Sequence, residues 1–187
     1  MNVKYLLFSV LIIAAAAAVL LGMGRIPFCK CGEISLWSSD VTSNQQSQQF
    51  ADPYTFTHAI HGTLFYFFIW FVFGRRFTAA QRLVLAVALE AGWEILENTD
   101  FIINRYRAVT FSYDYYGDSV FNSVGDIVAM ATGYLAAWKL PWKITVIGSI
   151  LLDLVLLLTI HDSLAVNIIM LIHPIEAIKN WQLKQWQ

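Results

Sequence analysis

The chain has 187 residues, of which 58% are hydrophobic and 13% charged, with a mean hydropathy of +0.57. Soluble domains carry about 25% charged residues, so the composition excludes an ordinary soluble globule and points to an integral membrane protein. A net charge of -1 excludes a basic nucleic-acid surface, and 2 cysteines are too few for a disulfide scaffold.

In chain order, the first apolar run covers residues 5–22, after Lys4. It is longer than the about 7 to 15 residues of a secretory signal core, and Arg25, Ile26, Pro27 and Phe28 stand where small cleavage-site residues are needed. A retained first helix is therefore expected. Residues 24–55 form a polar loop containing Cys29, Lys30, Cys31 and a polar run over 43–49. The Cys-x-Cys pair is compatible with a tight disulfide, a pair of metal ligands or two free thiols.

A second apolar run, residues 56–74, is rich in Phe, Tyr and Trp and ends at Arg75-Arg76; a third covers 79–98. A loop of about twenty residues follows, with Arg105, Arg107, Asp114 and the tyrosines Tyr113, Tyr115 and Tyr116. The fourth run, 118–138, is closed by Lys139, Pro141 and Lys143, and the fifth, 144–160, is apolar except for Asp153. After His161-Asp162 a shorter apolar run covers 164–172, before His173-Pro174. At about 1.5 Å per residue it is too short to span, which predicts a re-entrant or interfacial segment with Trp181 and Trp186 near the membrane surface. The alternative is one long tilted fifth helix that carries His161 and Asp162 inside the bundle. The expected fold is thus a single all-α integral membrane domain over residues 1–187, a bundle of about five transmembrane helices plus a short C-terminal segment.

Orientation follows from charge. Lys4, Arg75, Arg76, Arg82, Lys139 and Lys143 gather at one end if every run spans, whereas the first long loop has only Arg25 and Lys30. Positive-inside bias places the amino terminus in the cytoplasm and the two longer loops outside, for a bacterial inner-membrane protein. This leaves Arg105 and Arg107 outside, where pairing with carboxylates is expected to hold them.

Two apolar runs carry polar stripes. Glu90, Glu94 and Glu97 fall within about 60° of arc on one helix, and Asp118, Asn122 and Asp126 within about 80° on the next. A carboxylate facing hydrocarbon costs about 2.5 to 3.5 kcal/mol, so the stripes must face each other or a wet cavity. His58 and His61, one turn apart at the outer end of the second run, come to the same depth as Glu94, Glu97 and Asp118. Glu90 and Asp126 are expected about one to two turns deeper.

Several chemistries suit this convergence. His58 and His61 suit a divalent metal such as zinc, which would offset the negative charge. Without a metal, Glu94 and Glu97 suit a general acid and base, with Asp118 and Asp126 as further catalytic candidates. Glu90, Asn122, Arg105 and Arg107 are the candidate substrate-binding residues, the guanidinium forks being suited to a phosphate. The plainer reading is that the polar side chains hold the helices together.

The block from Glu90-Ala-Gly-Trp-Glu94-Ile-Leu-Glu97-Asn98 through Ile103-Asn104-Arg105-Tyr106-Arg107 to Asp118-Ser-Val-Phe-Asn122-Ser-Val-Gly-Asp126 resembles an uncharacterised family of bacterial multi-pass inner-membrane proteins. Gly22-Met-Gly-Arg-Ile-Pro-Phe-Cys29-Lys-Cys31 and Met170-Leu-Ile-His173-Pro174 resemble it too, so the likeness spans nearly the whole chain. A more distant likeness, over about eighty residues, is to VanZ-like membrane proteins, with His58, Glu94 or Glu97, Arg105, Asp118, Asn122 and Gly133 in the matching places. It implies a small helical bundle in or near cell-envelope chemistry. Phe121-Asn122-Ser-Val-Gly-Asp126 also resembles an element of lipoprotein signal peptidase, but with one residue too many between Asn and Asp, so that mechanism is not adopted. The expected function is an outward-facing polar pocket that binds or modifies a lipid-linked or lipid head-group substrate by hydrolysis or group transfer. The alternative is a non-catalytic membrane partner or a small proton-linked carrier.

Overall fold

The computed structural model describes residues 3–111 and 114–184. Tyr113 of the expected loop and Trp186, expected near the membrane surface, lie outside the described residues. The described chain is all-helical, with no strand: α1 (Val3–Gly22), α2 (Thr55–Phe73), α3 (Ala79–Glu97), α4 (Asp100–Val109), α5 (Val120–Lys139), α6 (Trp142–Ile160), α7 (Leu164–Ile172) and α8 (Glu176–Lys184).

Several boundaries have a local cause. Thr78 forms a capping box with Gln81 at the start of α3, and the hydroxyls of Thr99, Ser119 and Ser163 accept backbone N–H groups that open α4, α5 and α7. Between α6 and α7, His161 adopts a left-handed conformation (φ 52°), which turns the chain out of the helix. Asp153 settles there as well: its Oδ1 accepts the Leu164 N–H at 2.8 Å, so the isolated carboxylate of α6 satisfies the first turn of α7. Residues 144–172 are thus two helices with a capped break, and not one long tilted helix.

Among the described residues, four helices are long and apolar enough to cross a membrane: α1, α2 with its 3-10 extension to Arg76, α5 and α6. The expected fifth, α3, has the length, about 28 Å for its 19 residues. It lacks the apolar composition, because Arg82, Glu90, Glu94 and Glu97 interrupt it. These charges are turned inward, for α3 packs against α1, α2 and α5 and buries Arg82, Glu90 and Glu94. Large apolar side chains such as Leu7, Leu11, Ile147, Leu151 and Leu158 are exposed on α1 and α6, an exterior suited to hydrocarbon.

The core lies between α1, α2, α3 and α5, around Ala16, Ile69, Ala86, Val87, Ile127, Met130 and Tyr134. The closest helix pair is α2 with α5. A Cβ on Gly62 would overlap the Met130 carbonyl, and one on Gly133 would overlap the Ala59 carbonyl, so two glycines allow the backbones to touch. The contacts His58 to Asp126, Gly62 to Met130 and Tyr66 to Tyr134 advance together along both helices, which therefore run in the same direction. This register brings the His58 imidazole of α2 to the Asp126 carboxylate of α5.

The polar loop before α2 is folded onto the start of α5. Ser119 N–H donates to Ser47 O, Val120 N–H to Ile26 O, and the Gln48 amide to Gly117 O at 2.9 Å. Gln48 and Gln49 are almost wholly buried, and Cys29 is bonded to Cys31. The Cys-x-Cys motif is therefore a disulfide in this structure.

Candidate functional site

The polar side chains of α2, α3 and α5 meet in a chain of short contacts. Glu90, with no exposed surface, receives His58 Nδ1 at 2.6 Å and His61 Nδ1 at 3.2 Å from each of its two oxygens. An ionised carboxylate only accepts, so the His58 Nδ1 carries the hydrogen of this contact, and a neutral ring in that tautomer would offer its lone pair at Nε2. That Nε2 lies 3.8 Å from Asp126 Oδ2, and Glu94 Oε1 lies 3.4 Å from His58 Nδ1. Glu94 is fully buried, and neither of its oxygens accepts a hydrogen bond; one oxygen each of Glu97 and Asp126 is in the same condition.

One expected feature is corrected. Glu90 and Asp126 are not one to two turns below the histidines but in contact with them. His58 is the fourth residue of α2, so its side chain already reaches the level of Glu90, while Glu97 and Asp118 lie nearer the helix ends.

Beside this cluster is a cavity of about 490 Å³, within the range of about 300 to 1,000 Å³ usual for small-molecule sites. One side is polar, with His58, His61, Glu97, Tyr106, Tyr115, Asp118, Asp126 and Asp162. The other is apolar, formed by α2, α3 and α7. Leu64, Leu89, Leu96 and Ile168 line it and are also exposed (50%, 44%, 46% and 47%), so the cavity meets the exterior across an apolar rim. Among the described residues that line it there is no lysine or arginine.

Other sequence candidates serve neighbouring structure. Arg105 donates from Nε and Nη2 to the Leu171 carbonyl (3.0 and 2.9 Å), and Arg107 Nε donates to the Tyr115 carbonyl. The guanidinium of Arg105 thus ties α7 to α4, and neither arginine lines the cavity. Asn122 donates its amide to Gln49 O at 2.9 Å and holds the loop before α2. Asp118 lines the cavity but accepts from Asn98 Nδ2 (2.7 Å) and Tyr115 OH (2.9 Å), which joins α3 to the start of α5. Ligand atoms of three sets come within 4.8 Å of one another: His58, His61 and Glu90; His58, Glu94 and Asp126; and Glu94, Glu97 and Asp118.

The cavity also contains groups that the sequence reading left in doubt. Asp162 is buried and accepts from Tyr54 OH at 3.0 Å and from Ser163 N–H at 2.9 Å. Burial pushes its carboxyl up to about 7, with the Asp153 charge adding to this and the hydrogen bonds from Ser163, Tyr54 and Asn167 opposing it. Since the folded state favours the protonated acid, this contribution to stability is fully present below the usual 3.8 and is lost as pH rises through about 7. An Asp162→Asn variant is therefore expected to show a flatter decline in melting temperature between pH 4 and pH 8 than the parent. Parallel pH profiles for the two proteins would contradict the assignment.

Residues 20–184 match the family model described as "Protein of unknown function (DUF2585)". The chain belongs to this family. It is similar to a UPF0314 protein of Sphingopyxis alaskensis, 46% identical over 94% of this chain and 93% of the relative. UPF0314 proteins of Paracoccus denitrificans (47% identical, 92% and 89% covered) and Brucella anthropi (48%, 91% and 86%) are similar over nearly the same span. No solved structure matches the chain. Glu90, Glu94, Glu97 and Asp126 all fall within the matched residues.

Proposed function

We propose that this DUF2585 protein is a bacterial inner-membrane protein that binds, and acts on, a lipid-linked or lipid head-group substrate in an outward-facing cavity. The observation that carries this reading is the two-sided cavity: a rim of exposed Leu64, Leu89, Leu96 and Ile168 joined to a floor of imidazole, carboxylate and tyrosine side chains. Such a shape suits an amphiphile, with its chain along the rim and its polar end on the floor. With no lysine or arginine among the described lining residues, the floor suits hydroxyl or amine groups, or a cation, better than a bare phosphate.

Topology follows the same reading. The amino terminus is cytoplasmic, α3 is a fifth span whose charges are shielded by its neighbours, and α7 lies at the outer surface. The Cys29–Cys31 disulfide supports an oxidising, outer location for the first loop, and Arg75, Arg76, Lys139 and Lys143 at the other end support a cytoplasmic one there. The VanZ-like resemblance points the same way, toward the cell envelope. If a bond is broken in the cavity, Glu97, with one oxygen unpartnered at its wall, is the residue assigned to proton transfer, in a hydrolysis or group transfer.

Extraction of the protein with its surrounding lipid, followed by mass spectrometry, tests this. The parent is expected to retain at least one lipid or lipid-linked species enriched over the bulk membrane, and Leu96→Arg at the rim is expected to lower that enrichment about tenfold. A parent profile identical to bulk lipid would overturn the reading.

A further inference from the structure

The contacts within the cluster divide its residues into two kinds. Glu90 is satisfied, since both of its oxygens face imidazole nitrogens. Glu94 is not: it has no exposed surface, neither oxygen accepts a hydrogen bond, and the nearby His58 Nδ1 directs its hydrogen to Glu90. Asp126 leaves Oδ1 unpartnered and places Oδ2 on the Nε2 side of the same ring. A buried carboxylate oxygen without a hydrogen bond is unfavourable, and those of Glu94 and Asp126, gathered on the single imidazole of His58, form a set of donors that a cation would satisfy.

We propose that His58 Nε2, Glu94 and Asp126 bind a divalent transition-metal cation such as Zn²⁺ or Mn²⁺, with Glu90 orienting the His58 ring and His61 outside the ligand set. This inference rests on the reading of the cavity as the functional site, because His58 and Asp126 line it. The donor chemistry is one imidazole and two carboxylates, which suits a borderline to hard divalent ion. Size agrees as well. Metal–ligand bonds of about 2.0 to 2.2 Å at tetrahedral angles put neighbouring donors about 3.3 to 3.6 Å apart. Ligand atoms of His58, Glu94 and Asp126 lie within 4.8 Å of one another, so side-chain shifts of up to about 1.5 Å would close the set.

Glu90 supplies the outer support such sites need. A ligating histidine almost always donates its second ring N–H to a carboxylate, which fixes the tautomer and the ring plane. The 2.6 Å contact between His58 Nδ1 and Glu90 does this before any ion arrives. His61 also faces Glu90 and packs edge-on against Trp93, which keeps it at the wall of the cavity. A three-ligand set leaves a further position for water or substrate beside Glu97, so the cation would polarise what the cavity holds.

The test uses the full chain in lipid nanodiscs, stripped with chelator, reloaded with Zn²⁺ or Mn²⁺ and exchanged into metal-free buffer. The parent is expected to hold about one equivalent and to gain thermal stability on loading. Glu94→Gln and Asp126→Asn keep the side-chain shape and should each lower affinity at least tenfold, Glu90→Gln about ten- to a hundredfold, and His61→Gln by less than threefold. A parent with no stoichiometric metal and no thermal shift overturns the proposal, and this readout needs no variant. Loss of metal on His61→Gln with retention on Asp126→Asn also overturns it, in favour of His58, His61 and Glu90 as ligands. Lipid is measured in the same samples: bound lipid without metal refutes the cation alone, and metal without bound lipid refutes the substrate reading alone.

Discussion

Gly133→Leu is expected to prevent the bundle from assembling, seen as loss of the monodisperse species after extraction and a melting temperature below the range of the parent. A Cβ at this position overlaps the carbonyl of Ala59, and Gly62 meets Met130 O in the same way one turn further along α2. Small-to-large changes in a packed core usually cost about 1 to 3 kcal/mol, because side chains can move aside. Here the obstruction is backbone, so the helices themselves must part, and a cost of about 3 kcal/mol or more is expected. Parting α2 from α5 would also withdraw His58 from Asp126. A Gly133→Leu protein that melts with the parent would show that the two helices do not meet as described.

Glu90→Ala is expected to have the second large effect. This side chain is fully buried and is the shared partner of His58 and His61. Removing one member of a buried ionic or hydrogen-bonded pair typically costs about 3 to 5 kcal/mol, since the remaining group stays desolvated. Glu90→Gln, which retains an acceptor oxygen, should recover more than half of the lost melting temperature. If Glu90→Ala and Glu90→Gln are equally harmful, the negative charge rather than the hydrogen bonds holds the rings. If neither is harmful, the contacts with the histidines contribute nothing to the fold.

The contrast between what the sequence conveyed and what it did not has physical reasons. Apolar runs at 5–22, 56–74 and 144–160 sit within about two residues of α1, α2 and α6, because burial in hydrocarbon demands uninterrupted apolar length. The inward turn of Glu90, Glu94 and Asp126 was legible from the cost of exposing them. The 3.6-residue period located both stripes without any template. By contrast, α4 lies in a stretch that has no apolar run. Its ten residues include Asp100, Asn104, Arg105 and Arg107, and its apolar face is set by tertiary packing. The roles of Arg105, Arg107 and Asn122 were also out of reach, since each side chain bonds to a backbone carbonyl and carbonyls have no sequence signature. One signal for the folded loop before α2 is Gln48-Gln49, where adjacent amides in a polar run suit burial against exposed backbone. Asp162 was harder to place: only the helix break at His161 brings it to the cavity.

The central claim is that an amphiphile occupies the cavity through its apolar rim, and photo-crosslinking with a lipid carrying a reactive group on its acyl chain addresses it most directly. Labelled peptides are expected from residues 89–97 of α3 and 164–171 of α7. These labels should disappear in Leu96→Arg, while labels on the exposed faces of α1 and α6 persist. Labelling confined to α1 and α6, or cavity labels unaffected by Leu96→Arg, would contradict the account.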